Sequence, residues 1–207
     1  MAHEARPRRK RQARGEQRMA QILDAAATVF AEHGYEAATT IKISAEAGIS
    51  PGSLYQFFPN KEAIAEALAL RFVADLGAAH DEAFSGVDLA GLGLDEFIDR
   101  IVDPLIAFNI ANPGFKALFA RTDQPAGLSS AAEPLERAVM GRVVGVVVER
   151  AGRLTPAEAT LAAHVGGQVF KALIPMVVAA AEGGEREAVI GELKKVLRGY
   201  FGQVLDP

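Results

Sequence analysis

The 207-residue chain has no cysteine. Disulfides, thiolate metal sites and cysteine nucleophiles are thereby excluded, and a reducing cytoplasm is the expected compartment. It also lacks an apolar run of bilayer length: the longest, Ala172 to Ala181, is short and interrupted by Pro175. No segment reads as a signal peptide, because the basic N-terminus leads into Gln12 to Gln21 instead of an apolar stretch. No membrane is expected as a partner. Strand patterning is missing too, since the β-branched run Val143 to Val148 lies inside a longer helical stretch. Nor is there a phosphate-cradling glycine loop, a nucleophile elbow or a paired-histidine motif. Asp99 and Asp103 at i, i+4, with His80, resemble a metal or acid–base group, but Arg100 intervenes and Pro104 follows, so a solvated helix face explains them better. An all-α enzyme is the minor alternative, and no cofactor, metal or catalytic residue is expected.

What the chain does have is apolar residues and an uneven charge. Half of it is hydrophobic, enough to bury a substantial core. Residues 1–61 carry nine Lys and Arg against six Asp and Glu, and the remainder thirteen against twenty; the parts stand at +3 and −7 within a net charge of −4. The N-terminal part therefore points towards an anionic partner.

The most informative stretch is Thr39 to Lys61. Thr39 or Thr40 can cap a helix on which Ile43 and Ala47 share a face. Gly48 stops it, because the residue past a helix end takes a left-handed conformation that glycine adopts without steric cost. Ser50 is the next N-cap and Pro51 the first helical residue, giving a short helix to about Phe58 before Pro59-Asn60 and a third helix from Lys61. Projected at 100° per residue, Leu54 and Phe58 face inward, while Gly52, Ser53, Gln56 and Phe57 are presented. Glycine inside a helix costs up to about 1 kcal/mol relative to alanine, so Gly52 suggests close approach of something to the backbone. Ser53 and Gln56 suit base edges in a major groove, and Tyr55 at the border suits a phosphate oxygen. Lys61, a cation in a first helical turn, opposes the helix dipole and suggests an external anion.

This stretch resembles the helix-turn-helix of the tetracycline-repressor (TetR) family of bacterial transcription regulators. The resemblance rests on Thr39, Ile43, Ala47, Gly48, Ile49, Ser50, Gly52, Leu54, Tyr55, Phe58 and Lys61. The chain departs from the pattern at Ser44 for the usual Ala, Phe57 for His or Tyr, and Ile64 for Leu. Phe57 removes a polar group from the presented face and leaves an apolar contact to a thymine methyl. The resemblance implies an all-α protein with an N-terminal three-helix DNA-binding domain and a C-terminal helical ligand-binding and dimerisation domain. It further implies a homodimer on a palindromic double-stranded operator, released by a small molecule, and most often repression. The alternative regulator responds to another protein and to no small molecule.

The rest of the chain is read around that motif. Residues 1–15, with RPRRKRQAR, are expected as a disordered basic arm, residues 16–61 as the DNA-binding domain and residues 62–207 as the C-terminal domain. The first helix spans about Glu16 to His33 with an apolar stripe from Met19 to Phe30. DNA phosphates are assigned to Arg14, Arg18, Thr40, Lys42, Tyr55 and Lys61, and base reading to Ser53, Gln56, Gly52 and Phe57. The helix from Lys61 continues to about Ala79 as a connector, and the loop 85–93 follows. Further helices are expected at Leu94 to Asn112, Phe115 to Thr122, Ala132 to Gly152, Pro156 to Ala181 and Glu185 to Val204, with a Thr155-to-Glu158 capping box. Pro104 and Pro175 inside helices make kinks and gaps. Phe97, Ile101, Phe108, Phe115, Phe119, Met140 and Phe170, with Asn109, His164 and Gln168 as polar groups, are the candidate lining of a pocket for a lipophilic or aromatic ligand. Surplus apolar area on the last two helices, with Ala162, Ala163, Gly166 and Gly167 permitting close approach, is assigned to self-association.

Overall fold

The computed structural model describes residues 5–88, 91–119, 126–150 and 154–205; side chains are considered from residue 12 onward, except those of 83, 116, 117, 119 and 126–136. Among the described residues the chain is all-α, with nine helices and no strand: α1 (Ala5–Ala37), α2 (Thr40–Glu46), α3 (Pro51–Tyr55), α4 (Lys61–Phe84), α5 (Leu94–Ala111), α6 (Pro113–Phe119), α7 (Ala126–Arg150), α8 (Pro156–Ala179) and α9 (Gly184–Leu205). Residues 5–15, expected without structure, extend α1, and the Arg, Lys, Gln and Ala that dominate them are good helix formers. Gly34 departs from helical geometry within α1 (φ 72°), at the position expected to end it.

Two compact units share the chain. The first is Met1–Phe72 with Pro113–Ala131, and the second is Val73–Asn112 with Ala132–Pro207. The sequence division at Lys61 therefore differs from the structural one twice over: α4 runs on from the first unit into the second, and α6 belongs to the first.

In the first unit, Ile22, Ala26, Val29 and Phe30 of α1 are buried, as are Ile43, Leu54, Ile64 and Leu68. Helix α6 lies against α1 at backbone distance: a Cβ on Gly114 would stand 2.7 Å from the Ala27 carbonyl oxygen. Phe115 meets Phe72 edge-on at 5.8 Å, and Arg71 reaches Asp24 at 2.7 Å.

In the second unit, α5, α8 and α9 pack together around Phe97, Ile98, Val102, Val147, Leu193, Leu197 and Phe201. Asp99 and Asp103 are not simply a solvated face. Lys194 bridges both, and Arg198 binds Asp99 at 2.7 Å and Asp95 at 2.8 Å, tying α5 to α9. Burial works to lower the Lys194 pKa, but its hydrogen bonds to Asp103 and Asp99 outweigh that and raise it above the ordinary lysine value. The expected capping box opens α8: Thr155 Oγ1 accepts from the Glu158 N–H at 3.3 Å, and the Glu158 carboxylate accepts from the Thr155 N–H at 2.8 Å.

Candidate nucleic-acid interface

The geometry of the reading segment is set by caps. Thr39 is the N-cap of α2, its Oγ1 accepting the Lys42 N–H at 3.2 Å. Gly48 takes φ 64°, and the Ile49 N–H returns to the Ser44 carbonyl at 2.9 Å, closing the end of α2. Ser50 caps α3 by accepting the Ser53 N–H at 3.2 Å. Helix α3 proper stops at Tyr55 and continues as a turn, three residues short of the expected end; the Phe57 and Phe58 amides still bond Leu54. Asn60 begins α4 by accepting the Ala63 N–H at 2.8 Å.

Leu54 and Phe58 are buried as the helical projection requires. Gly52, Tyr55 and Gln56 are exposed, and Ser53 and Phe57 half-exposed. A Cβ on Gly52 would meet nothing nearer than Ser50 Oγ at 3.9 Å, so no internal contact requires glycine there. The Tyr55 and Thr40 hydroxyls stand 3.0 Å apart, joining the two motif helices at the exposed rim. The Ser50 and Ser53 hydroxyls are paired at 2.9 Å.

The cations divide into held and presented. Lys61 has partners within the chain: its ammonium donates to the Tyr35 carbonyl at 2.8 Å and the Glu36 carbonyl at 3.3 Å, 4.3 Å above the Tyr35 ring. It fastens the end of α1 to the start of α4. Lys42 is exposed and donates to the Ala37 carbonyl at 3.3 Å. Arg14 is exposed on α1. Arg18 donates to Gln21 Oε1 at 2.9 Å, and the Gln21 amide donates to the Ala47 carbonyl at 2.7 Å. Gln21 escaped the sequence reading, although a polar side chain three residues after Arg18 is a visible signal for such a bridge. Ile41 escaped it as well; it is 67% exposed beside Thr40 and Lys42.

The pocket candidates divide between core and surface. Phe97, Ile101 and Phe108 are buried, with Met140 and Phe170 partly buried against the core of the second unit. His164 and Gln168 are on the exposed side of α8. The Asn109 amide donates to the Leu105 carbonyl at 2.8 Å. Phe115 belongs to the first unit, and the side chain of Phe119 lies outside the described residues. An open groove of about 430 Å³ runs beside Pro104, lined by Ala79, Ala107, Phe108 and Ala111. Of the candidates, only Phe108 reaches it.

Surplus apolar surface is concentrated on α8. Leu161, Val165, Ala172 and Met176 share one exposed row at helical spacing, broken by the polar Gln168, with Val196 exposed on α9. By length and composition alone α8 could cross a membrane, yet its other face packs on α5 and α9. Ala162, Ala163 and Gly166 are buried inside the unit, where a Cβ on Gly166 would strike the Phe201 ring at 2.5 Å. Gly166 thus makes room for α9 of the same chain, and the exposed row lies on the other side of the helix.

His80 and the aspartates form no common site. Among the described residues no group of three His, Cys, Asp or Glu could hold a metal.

Comparison with known proteins matches two sequence families. Residues 22–68 match "Bacterial regulatory proteins, tetR family", and residues 93–201, 109 of the 207, match "Tetracyclin repressor-like, C-terminal domain". The chain is 42% identical over 72 residues to the HTH-type transcriptional repressor KstR2 of Rhodococcus jostii, covering 34% of this chain and 35% of that protein. It is 47% identical over 58 residues to the A-factor receptor protein of Streptomyces griseus, covering 28% and 21%. The chain thus matches about a third or less of the length of these two relatives. A solved TetR-family transcriptional regulator of Streptomyces coelicolor is 27% identical with a TM-score of 0.58, over 91% of this chain and 99% of that one.

Proposed function

Because the chain belongs to the TetR family, we propose that it is a DNA-binding transcription regulator, not an enzyme: a cytoplasmic repressor whose homodimer reads an inverted-repeat operator and is released by a small apolar molecule. The observation that carries DNA reading is the presented side of α3, where Gly52 has open space and Tyr55, 52% exposed, shares a hydrogen bond with Thr40. Tyr55, Thr40, Lys42, Arg14 and Arg18 hold phosphates; Ser53, Gln56 and Phe57 meet bases, with the backbone at Gly52 drawn close. Lys61 positions α4 against α1. A reading helix this short supplies little affinity alone, whereas a two-fold dimer reads half-sites about 34–36 Å apart or a multiple of that. The exposed row on α8 with Val196 supports α8 and α9 as the dimer surface. The apolar interior of the second unit and prolines within α5 and α8 support the ligand reading.

Selection from a random duplex pool at near-physiological salt tests the proposal. An enriched inverted repeat with half-sites about one helical turn, or a small multiple, apart is expected; retention without enrichment leaves only phosphate attraction. On the selected operator, Tyr55→Phe weakens binding to all sequences alike. Gln56→Ala costs about 1–3 kcal/mol of discrimination at particular bases. The reverse pattern would exchange their roles.

A further inference from the structure

His80 lies on the part of α4 that belongs to the second unit and is 2% exposed. Its ring stacks on Phe84 at 4.2 Å, and its Nδ1 is 3.1 Å from Arg142 Nη1. A guanidinium can only donate, so Nδ1 holds the lone pair and the proton of the neutral ring sits on Nε2. The Nε2 atom is buried and has no hydrogen-bond partner among the described residues. Asp81 pairs with Arg142 and partly offsets its charge. Burial first, then Arg142, lower the His80 pKa against the opposing pull of Asp81, so the ring is a neutral donor.

Direction matters as much as satisfaction. The two imidazole nitrogens point to opposite sides of the ring. Arg142 is itself exposed, so Nδ1 is bonded towards the rim of the unit, and Nε2 lies on the other side of the ring, buried. A buried donor without an acceptor is costly and rarely kept. An ionised acceptor would favour a protonated ring, which the surroundings oppose, so a neutral oxygen fits best.

We propose that His80 Nε2–H anchors the small-molecule ligand of the second unit by donating to an uncharged carbonyl oxygen carried on an apolar body. The inference rests on the ligand-responsive reading and names its chemistry. Arg142 acts as a positioning residue that fixes the tautomer from the far side of the ring.

The test uses the full-length protein labelled with ¹⁵N-histidine, titrated with 2-octanone and, separately, octane. The ketone is expected to shift the His80 Nε2–H resonance saturably and to bind about tenfold more tightly than the alkane. In His80→Phe that preference disappears while alkane binding persists; His80→Gln, which keeps a donor, restores part of it. Equal binding of both probes with no Nε2 shift overturns the anchor and leaves the second unit as a nonselective apolar site. Binding of neither also overturns it, and whether other apolar compounds release the operator then decides the ligand-responsive reading separately.

Discussion

The two units are built on opposite plans. In the reading part of the first, short helices are held by caps and turns within a few residues of the groups they position. Thr39, Gly48, Ser50 and Asn60 each act within about one turn. In the second, long helices are joined by contacts far apart in sequence, such as Lys194 and Arg198 on Asp99. Local construction holds presented groups in place with little buried area; long-range construction makes an interior in which one polar group, such as His80, can be singled out.

The first way to break this contrast is Leu54→Ala. Leu54 is fully buried beneath the presented face, and its truncation removes about 2–5 kcal/mol. In denaturant titration the loss is expected in the transition of the first unit, together with operator binding, while self-association persists. If both units lose stability equally, they form one cooperative block and the contrast fails.

A smaller effect sharpens it. Gly114→Ala places a Cβ against the Ala27 backbone, which cannot yield as a flexible side chain would, and overpacking costs about 1–3 kcal/mol. The loss is expected in the first unit although the residue lies beyond α5; a loss in the second would reassign α6.

The smallest effect concerns pH. The His80 pKa is lowered on folding, so below the unfolded value of 6.5 the unfolded chain binds the extra proton. The contribution of His80 is fully present above that value and fades as pH falls towards the folded one. Denaturant titrations at decreasing pH are expected to show the second unit weakening, and His80→Gln should flatten that trend.

The sequence disclosed what is local. The caps, the left-handed Gly48, the inward Leu54 and Phe58 and the Thr155 capping box follow from rules spanning four or five residues, and all were legible. Lys61 shows where such rules end: an unfavourable cation in a first turn does need a partner, but the partner is a pair of carbonyls 25 and 26 residues earlier. Asp99 and Asp103, read as a solvated face, were read incompletely for the same reason, since their cations lie on α9. The apolar residues of the second unit were identified by spacing, but periodicity does not say which of two packed faces a side chain occupies. Phe97 and Ile101 therefore went to core, and His164 and Gln168 to the surface. Residues 5–15 went the other way, because their charge suggested disorder while their helix propensity favoured extending α1.

The placement of α6 bears on how such chains diversify. The first unit is not one continuous stretch, since its residues 113–131 are inserted between portions of the second. Recombination between related genes that joins a new N-terminal segment at residue 72 would leave α6 behind from the other parent. Gly114 would then meet the backbone of a residue 27 from a different parent. A chimera joined at residue 72 is expected to keep the first unit stable only when residues 113–131 are exchanged with it.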